Sequence, residues 1–167
     1  MLAAWEAGLY RGPLDRTLLL LWAGGEGEDA ADLPLPERDR RLLALREGAF
    51  GPSLECMATC PGCGARIEVP VDARALANLL PRETGAVEIG RRVVALRPLT
   101  SRDLAAAQDV APEVLPAFLR LRLAPDSDAP AEAAAVEAAI EAQAEAAEMR
   151  LALTCPECGT EWRDALD

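Results

Sequence analysis

The sequence has no histidine and no lysine. Without histidine there is no Ser-His-Asp or Cys-His machinery, no imidazole general base and no imidazole metal ligand. Without lysine there is no Walker-type phosphate lysine and no Schiff-base chemistry. Aromatic residues are scarce: three Trp, one Tyr and two Phe, too few to build an aromatic core. Long apolar runs are missing as well. The longest dense one, Leu18 to Ala23, is six residues, whereas a membrane helix needs roughly 20. Met1 to Tyr10 carries Glu6 and no basic stretch, so no export signal is expected. These absences predict a soluble, cytoplasmic chain with no membrane insertion, in which thiols or metal ligation are expected before disulfides. Paired carboxylates in a catalytic context, a Gly-rich phosphate loop and a G-x-S-x-G turn are also missing. The expectation is therefore no catalytic residue, no organic cofactor site and no enzyme.

What is present is alanine, leucine, arginine and acid. At 167 residues the chain has room for one ordinary domain, or one domain and a small module. With 34 alanines and 26 leucines, the core is expected to rest on leucines and thin alanine faces. All 17 basic residues are arginine, against 28 acids, for a net charge of −11. The acidity is local. Residues 26–39 carry net −5 and residues 126–148 net −7, leaving a body near +1. Glu137, Glu141 and Glu145 form a same-sign stripe at helical spacing. The acidic segments read as solvated surface, or more sharply as a docking face for a basic partner. Overall acidity argues against a non-specific nucleic-acid binder. The arginine pairs Arg40-Arg41, Arg91-Arg92 and Arg120/Arg122 are able to contact phosphate or a partner carboxylate, although in a chain without lysine their clustering says little. Trp5, Trp22 and Trp162 read as core or interface anchors.

The pattern predicts an α+β chain. Helices are expected over Leu2–Leu9 and Leu14–Ala23, then a loop over 26–35, then a helix from Pro36 ending near Gly48 or Gly51. Strands are expected over Ser53–Thr59 and Ala65–Val71, the second with Ile67, Val69 and Val71 on one buried face. Asp72 can cap a short helix running through Leu80. A β-hairpin is expected near 86–98, and a helix from Thr100-Ser101 to about Val110. Another helix is expected over Pro112–Leu121, kinked at Pro116, followed by a linker at 124–130. The Ala/Glu-rich stretch 131–148 is a strong helix former, with Val136, Ile140, Ala144 and Ala147 on its narrow apolar face. Strands at Arg150–Thr154 and Thr160–Arg163 close the chain. By region, 1–52 is N-terminal and helical, 53–72 the first half of a ribbon, 73–147 a mostly helical insertion, and 148–167 the second half.

One internal repeat stands out. Thr59-Cys-Pro-Gly-Cys-Gly64 and Thr154-Cys-Pro-Glu-Cys-Gly159 agree at five of six positions. A C-P-x-C-G turn sets two thiolates on one side of a tight loop, and the last glycine permits a left-handed backbone. Two such knuckles make Cys60, Cys63, Cys155 and Cys158 candidate ligands of one structural Zn2+. A closed four-thiolate shell leaves no position for water or substrate, so such a metal is architectural. The knuckles are separated by 91 residues, against roughly 15 to 20 in a compact ribbon. The ribbon is thus expected to be split by its insertion. A metal-bridged dimer, an iron–sulfur cluster and a dithiol redox motif remain open at this level. Cys56 reads as a buried apolar strand residue.

The stretch from Leu33 to Pro52 runs directly into the first knuckle, Ala58 to Glu68, and the second knuckle lies within Leu151 to Trp162. Over about residues 14–72 and 148–167 this resembles a bacterial family encoded with phage-tail-like contractile injection systems. Those proteins are described as phage baseplate proteins, similar to the baseplate hub assembly chaperones of T-even-type phages. The family continues past the second knuckle into an apolar, Trp-containing helical tail, where this sequence has Asp164-Ala-Leu-Asp167. The resemblance implies a non-enzymatic structural or assembly protein. Its partners would be baseplate or tail proteins, and it would reside in the cytoplasm or in an assembled phage-tail-like particle. Composition and knuckles alone also fit a free-standing zinc-ribbon adaptor contacting nucleic acid or another protein.

Overall fold

Glycine and proline divide the leucine-rich N-terminus into α1 (Leu2–Gly8) and α2 (Pro13–Ala23). These come from a computed structural model that describes residues 2–82, 85–127 and 130–166. Pro13 opens α2, where its missing N–H costs nothing. Leu21 is fully buried, while Trp22 is 61% exposed and so is no core anchor. The acidic stretch that composition marks as loop contains a 3₁₀ turn, Glu28–Asp32, which buries Ala30. Helix α3 (Leu35–Phe50) passes through Gly48 and stops at Gly51, whose φ of 85° only glycine adopts readily.

Next come β1 (Ser53–Thr59) and β2 (Arg66–Asp72), paired antiparallel. The Asp72 carboxylate accepts the Ala75 N–H at 2.8 Å and starts α4 (Ala73–Leu79). Strands β3 (Ala86–Ile89) and β4 (Arg92–Ala95) form a second hairpin. Its two-residue turn begins with Gly90 at φ 64°. Helices α5 (Ser101–Ala107), α6 (Leu115–Leu123) and α7 (Pro130–Ala147) follow. Strands β5 (Arg150–Thr154) and β6 (Glu161–Ala165) make the last antiparallel hairpin. Each hairpin is its own two-stranded sheet.

Two apolar cores hold these elements. The larger joins Leu35, Val94, Leu96, Leu99, Leu123, Val136 and Ile140. The smaller centres on Leu43, Ala73, Leu76 and Leu80. Against it pack Leu54 and Val71 from the β1–β2 hairpin. Met149, Leu151 and Leu166, from the C-terminal segment that carries β5 and β6, pack there too. Both outer hairpins therefore share one apolar floor supplied by α3 and α4. On β2, Ile67, Val69 and Val71 alternate with exposed residues as the pattern requires, although all three are half-buried rather than buried.

Several sequence expectations need correction. Pro116 does not kink a helix; it lies in the first turn of α6, where no intrahelical N–H is lost. Residues 124–127 connect α6 to α7 without helix or strand, with Ala124 and Ser127 buried and Pro125 and Asp126 exposed. Residues 128–129 of the expected linker lie outside the described residues. On α7, Val136 and Ile140 are buried and Ala139 packs on them, but Ala144 is exposed. Helix α5 ends at Ala107, three residues before Val110.

Asp103 locks the α5 start to the rest of the larger core. Its carboxylate is fully buried. It accepts from Arg97 Nη1 and Nη2 at 2.9 and 2.7 Å, Arg122 Nε at 3.0 Å, the Thr100 N–H at 3.0 Å and Thr100 Oγ1 at 2.8 Å. Burial alone would raise this carboxyl group. The Arg97, Thr100 and Arg122 bonds outweigh burial and hold it well below the usual carboxylate range.

Candidate metal centre

Each knuckle is built by local backbone bonds at the tip of a hairpin. In the first, Cys60 N–H donates to Ala65 O and Gly64 N–H to Cys60 O, both at 2.9 Å. In the second, Cys155 N–H donates to Thr160 O and Gly159 N–H to Cys155 O, again at 2.9 Å. Gly64 and Gly159 have φ of 74° and 72°, which explains the glycine after the second cysteine of each motif. The Gly62 N–H also points at Cys60 Sγ, 3.3 Å away.

The structure brings all four expected cysteines together from the two ends of the insertion. Their sulfurs lie within 4.8 Å of one another. Cys60 Sγ is 3.6 Å from Cys158 Sγ, and Cys63 Sγ is 3.7 Å from Cys155 Sγ. A tetrahedral ion with metal–sulfur bonds of about 2.3 Å sets its sulfurs about 3.8 Å apart. A disulfide needs about 2.05 Å. The spacing is thus that of four ligands around one ion, and the four-cysteine cluster can hold a metal such as zinc. Because one chain supplies all four thiols, a dimer-bridging arrangement is not needed to complete the shell. A polynuclear iron–sulfur core would need thiols spread around it rather than gathered on one centre. Both cysteine pairs sit between strands, not at the helix N-terminus that activates a redox dithiol.

The shell is asymmetric. Cys60 and Cys155, first in each knuckle, are buried; Cys63 and Cys158 are exposed. Hydrogen bonding with the Thr160 side chain and backbone holds the Cys158 thiol down to about 6, against burial, which raises it. For Cys63 the Ala65 backbone bond lowers the value. Hydrogen bonding to Cys158, then burial, then Cys155 and Cys60 outweigh it, and the thiol is pushed up to about 12. A divalent cation bound here would deprotonate all four thiols.

Two residues of the site were not singled out in the sequence. Thr160 Oγ1 lies 3.2 Å from Cys158 Sγ. Gly62 faces Thr160 across the gap between knuckles. The signal for Gly62 was the single mismatch in the repeat, Gly62 against Glu157. Cys56 stays outside the cluster, half-buried on β1 opposite Val69.

The other candidate features resolve mostly into internal pairing. Arg40 and Arg41 bind Glu37, and Arg41 also binds Glu26. Arg92 binds Glu132, Arg120 binds Glu137, and Arg122 binds Asp103. The arginine pairs that would have met phosphate are thus largely engaged with the acidic segments themselves. Within the α7 stripe, Glu141 and Glu145 make no ion pair among the described residues. Trp162 is half-buried opposite Leu153, and the Trp5 side chain lies outside what is described. No helix among the described residues is long and apolar enough to cross a membrane. No protein-family model matches the chain, and neither a curated protein nor a solved structure matches it.

Proposed function

We propose that Cys60, Cys63, Cys155 and Cys158 hold one structural Zn2+, and that the chain is a non-enzymatic, zinc-clipped structural or assembly protein. The observation that carries the metal reading is the convergence of four thiols within 4.8 Å from knuckles 91 residues apart. All-thiolate ligation follows from a chain with no histidine. It closes the coordination shell, so the ion fastens hairpins and performs no hydrolysis.

The finer role is a chaperone-like or structural part of a phage-tail-like contractile injection system baseplate. It rests on the resemblance of residues 14–72 and 148–167 to that family. Its partners would be baseplate or tail proteins, with residence in the cytoplasm or in the assembled particle. Metal analysis of the purified chain tests the first part: one tightly bound zinc per chain is expected, lost in Cys60→Ser and Cys155→Ser. A metal-free parent that folds equally well would overturn it. Affinity capture alongside the products of a co-expressed injection-system cluster tests the second. Recovery of sheath, tube or baseplate proteins is expected. Salt-dependent binding to DNA or RNA with no such partner would favour the free-standing adaptor instead.

A further inference from the structure

A cavity of about 540 Å3 lies away from the cysteines, where the N-terminus of α3, the start of β3 and one face of α7 meet. Its walls are mostly apolar: Pro34, Pro36, Leu96, Leu99, Ala139 and Ala142. That volume falls within the range of pockets that take a ligand, about 300–1,000 Å3. Two side chains in its wall carry buried polar atoms without a hydrogen-bond partner among the described residues, Arg40 at Nε and Gln143 at its amide. Gln143 lines the cavity, and its Oε1 and Nε2 are both buried with no hydrogen-bond partner among the described residues. Buried amides are almost always paired. Among the described residues this one has neither its donor nor its acceptor paired, and it lies close to Gly85, where an added Cβ would be 3.7 Å from Nε2.

The β3 edge is open at the same place. Among the described residues β3 pairs only with β4. Leu96 N–H donates to Gly85 O at 3.2 Å, so Gly85 and Leu96 form a hydrogen-bonded pair. Opposed residues of an antiparallel ladder alternate between bonded and non-bonded pairs. Ala86, opposite Ala95, therefore turns its N–H and C=O away from β4, and Ala86 also lines the cavity. A residue in an extended strand likewise presents N–H and C=O on one edge. It can bond both to a neighbouring strand residue or to a side-chain amide.

We infer that this cavity is a docking site for an extended peptide segment of a partner protein. The segment adds to the open edge at Ala86, pairs one backbone N–H and C=O with the Gln143 amide, and sets small apolar side chains into the cavity. The terminal torsion of glutamine is broad and two-fold, so the amide can turn to meet the incoming strand. Recognition by strand addition with alternate side chains in pockets is a general mode of peptide capture. The inference does not rest on the metal, which lies on other elements, and it names a surface through which an assembly protein would hold a partner.

The test uses the full chain and a soluble array of acetylated, amidated octapeptides. Ala, Val or Pro occupies alternate positions and Ser the rest; binding is read by fluorescence anisotropy. At least one alternating sequence is expected to bind with a Kd of about 100 µM or tighter. Gln143→Leu should weaken that binding at least about tenfold and at the same time raise Tm, because it removes an unpaired buried amide. An amide with a merely structural role would lower Tm when lost. Ala86→Pro should weaken binding similarly while leaving the β3–β4 ladder intact, since the deleted N–H faces outward. Zinc content should be the same in all three proteins, which separates this result from the metal reading. The inference is overturned if no alternating peptide saturates the chain by about 1 mM. It is also overturned if Gln143→Leu binds as well as the parent, whether or not Ala86→Pro folds. A concentration-dependent dimer abolished by Gln143→Leu would assign the cavity to a second copy and overturn it too.

Discussion

Gly62 and Thr160 face each other across the two knuckles: a Cβ on residue 62 would overlap Thr160 Oγ1 and lie 3.2 Å from Thr160 Cβ. The equivalent position in the second knuckle, Glu157, is exposed. The one mismatch between the repeats thus matches a steric difference, because a side chain at 62 would meet Thr160 whereas Glu157 is exposed. Gly62→Ala is expected to lower stability by about 1–3 kcal/mol, the range for overpacking. Glu157→Ala should stay within about 0.5 kcal/mol. Urea unfolding of the zinc-loaded proteins measures both. A double-mutant cycle with Thr160→Ala should return a coupling of about 0.5–3 kcal/mol, while an additive cycle would place the clash elsewhere.

Removing the metal should loosen the tips of the hairpins and spare the rest. Closing a loop of about 100 residues is worth about 4.7 kcal/mol in chain-entropy terms. At roughly 2–4 °C per kcal/mol for a chain of this size, chelation should lower Tm by about 10–20 °C. The two hairpins, however, also share the apolar floor of Leu43, Leu76 and Leu80 with Leu54, Val71, Leu151 and Leu166. Far-UV circular dichroism should therefore keep most of its helical signal. Amide exchange should accelerate at Cys60–Ala65 and Cys155–Thr160 well before it does in α6 and α7. Loss of the whole helical signal on chelation would mean that the floor cannot hold the hairpins alone.

The site was legible because its information is local and repeated. Each Cys-Pro-x-Cys-Gly run dictates its own turn, and near-identity of the two runs links them across the insertion. Gly62 escaped notice because its constraint is Thr160, a partner 98 residues along the chain. The same reason hid the buried carboxylate of Asp103. Thr100 beside it reads as a cap, but its two arginines come from β4's exit and from α6. Pro116 was misread because sequence alone does not fix where a helix starts, and a start at Leu115 instead of Pro112 turns a kink into a favoured first-turn position. The division into two cores was not legible at all. It depends on α3 and α4 supplying one apolar floor to both outer hairpins, which no periodicity records.

Asp103 should make stability pH-dependent in a defined direction. Its folded pKa is lowered relative to the unfolded value, near 3.9. The stabilisation is therefore fully present above that value and is lost as pH falls through it toward the folded pKa. Asp103→Asn removes the charge that Arg97 and Arg122 bind, at a cost of about 1.5–3 kcal/mol near pH 7. The gap between parent and variant should narrow as pH drops from 5 to about 3. Denaturant unfolding at four or five pH values shows this directly. A gap that stayed constant would mean the carboxylate contributes through shape and not charge.

Helix α7 presents an unequal pair of faces, and substitutions on them should separate cleanly. Among its buried side chains only Val136 and Ile140 are larger than alanine, so nearly all its anchorage to the larger core passes through two residues. Ile140→Ala is expected to cost about 2–5 kcal/mol, the upper end if the small neighbours Ala139 and Ala142 cannot close the cavity. The opposite face carries Glu141 and Glu145, four apart and of like sign, with no ion pair among the described residues. Glu145→Gln should stabilise by only a few tenths of a kcal/mol, and the gain should fade as salt screens the repulsion. Glu137 differs because it pairs with Arg120 at 3.1 Å, so Glu137→Gln should destabilise instead. Thermal unfolding of the three variants at low and high salt tests the assignment. A stabilised Glu137→Gln would show that the acidic stripe, and not its pairing with α6, dominates this surface.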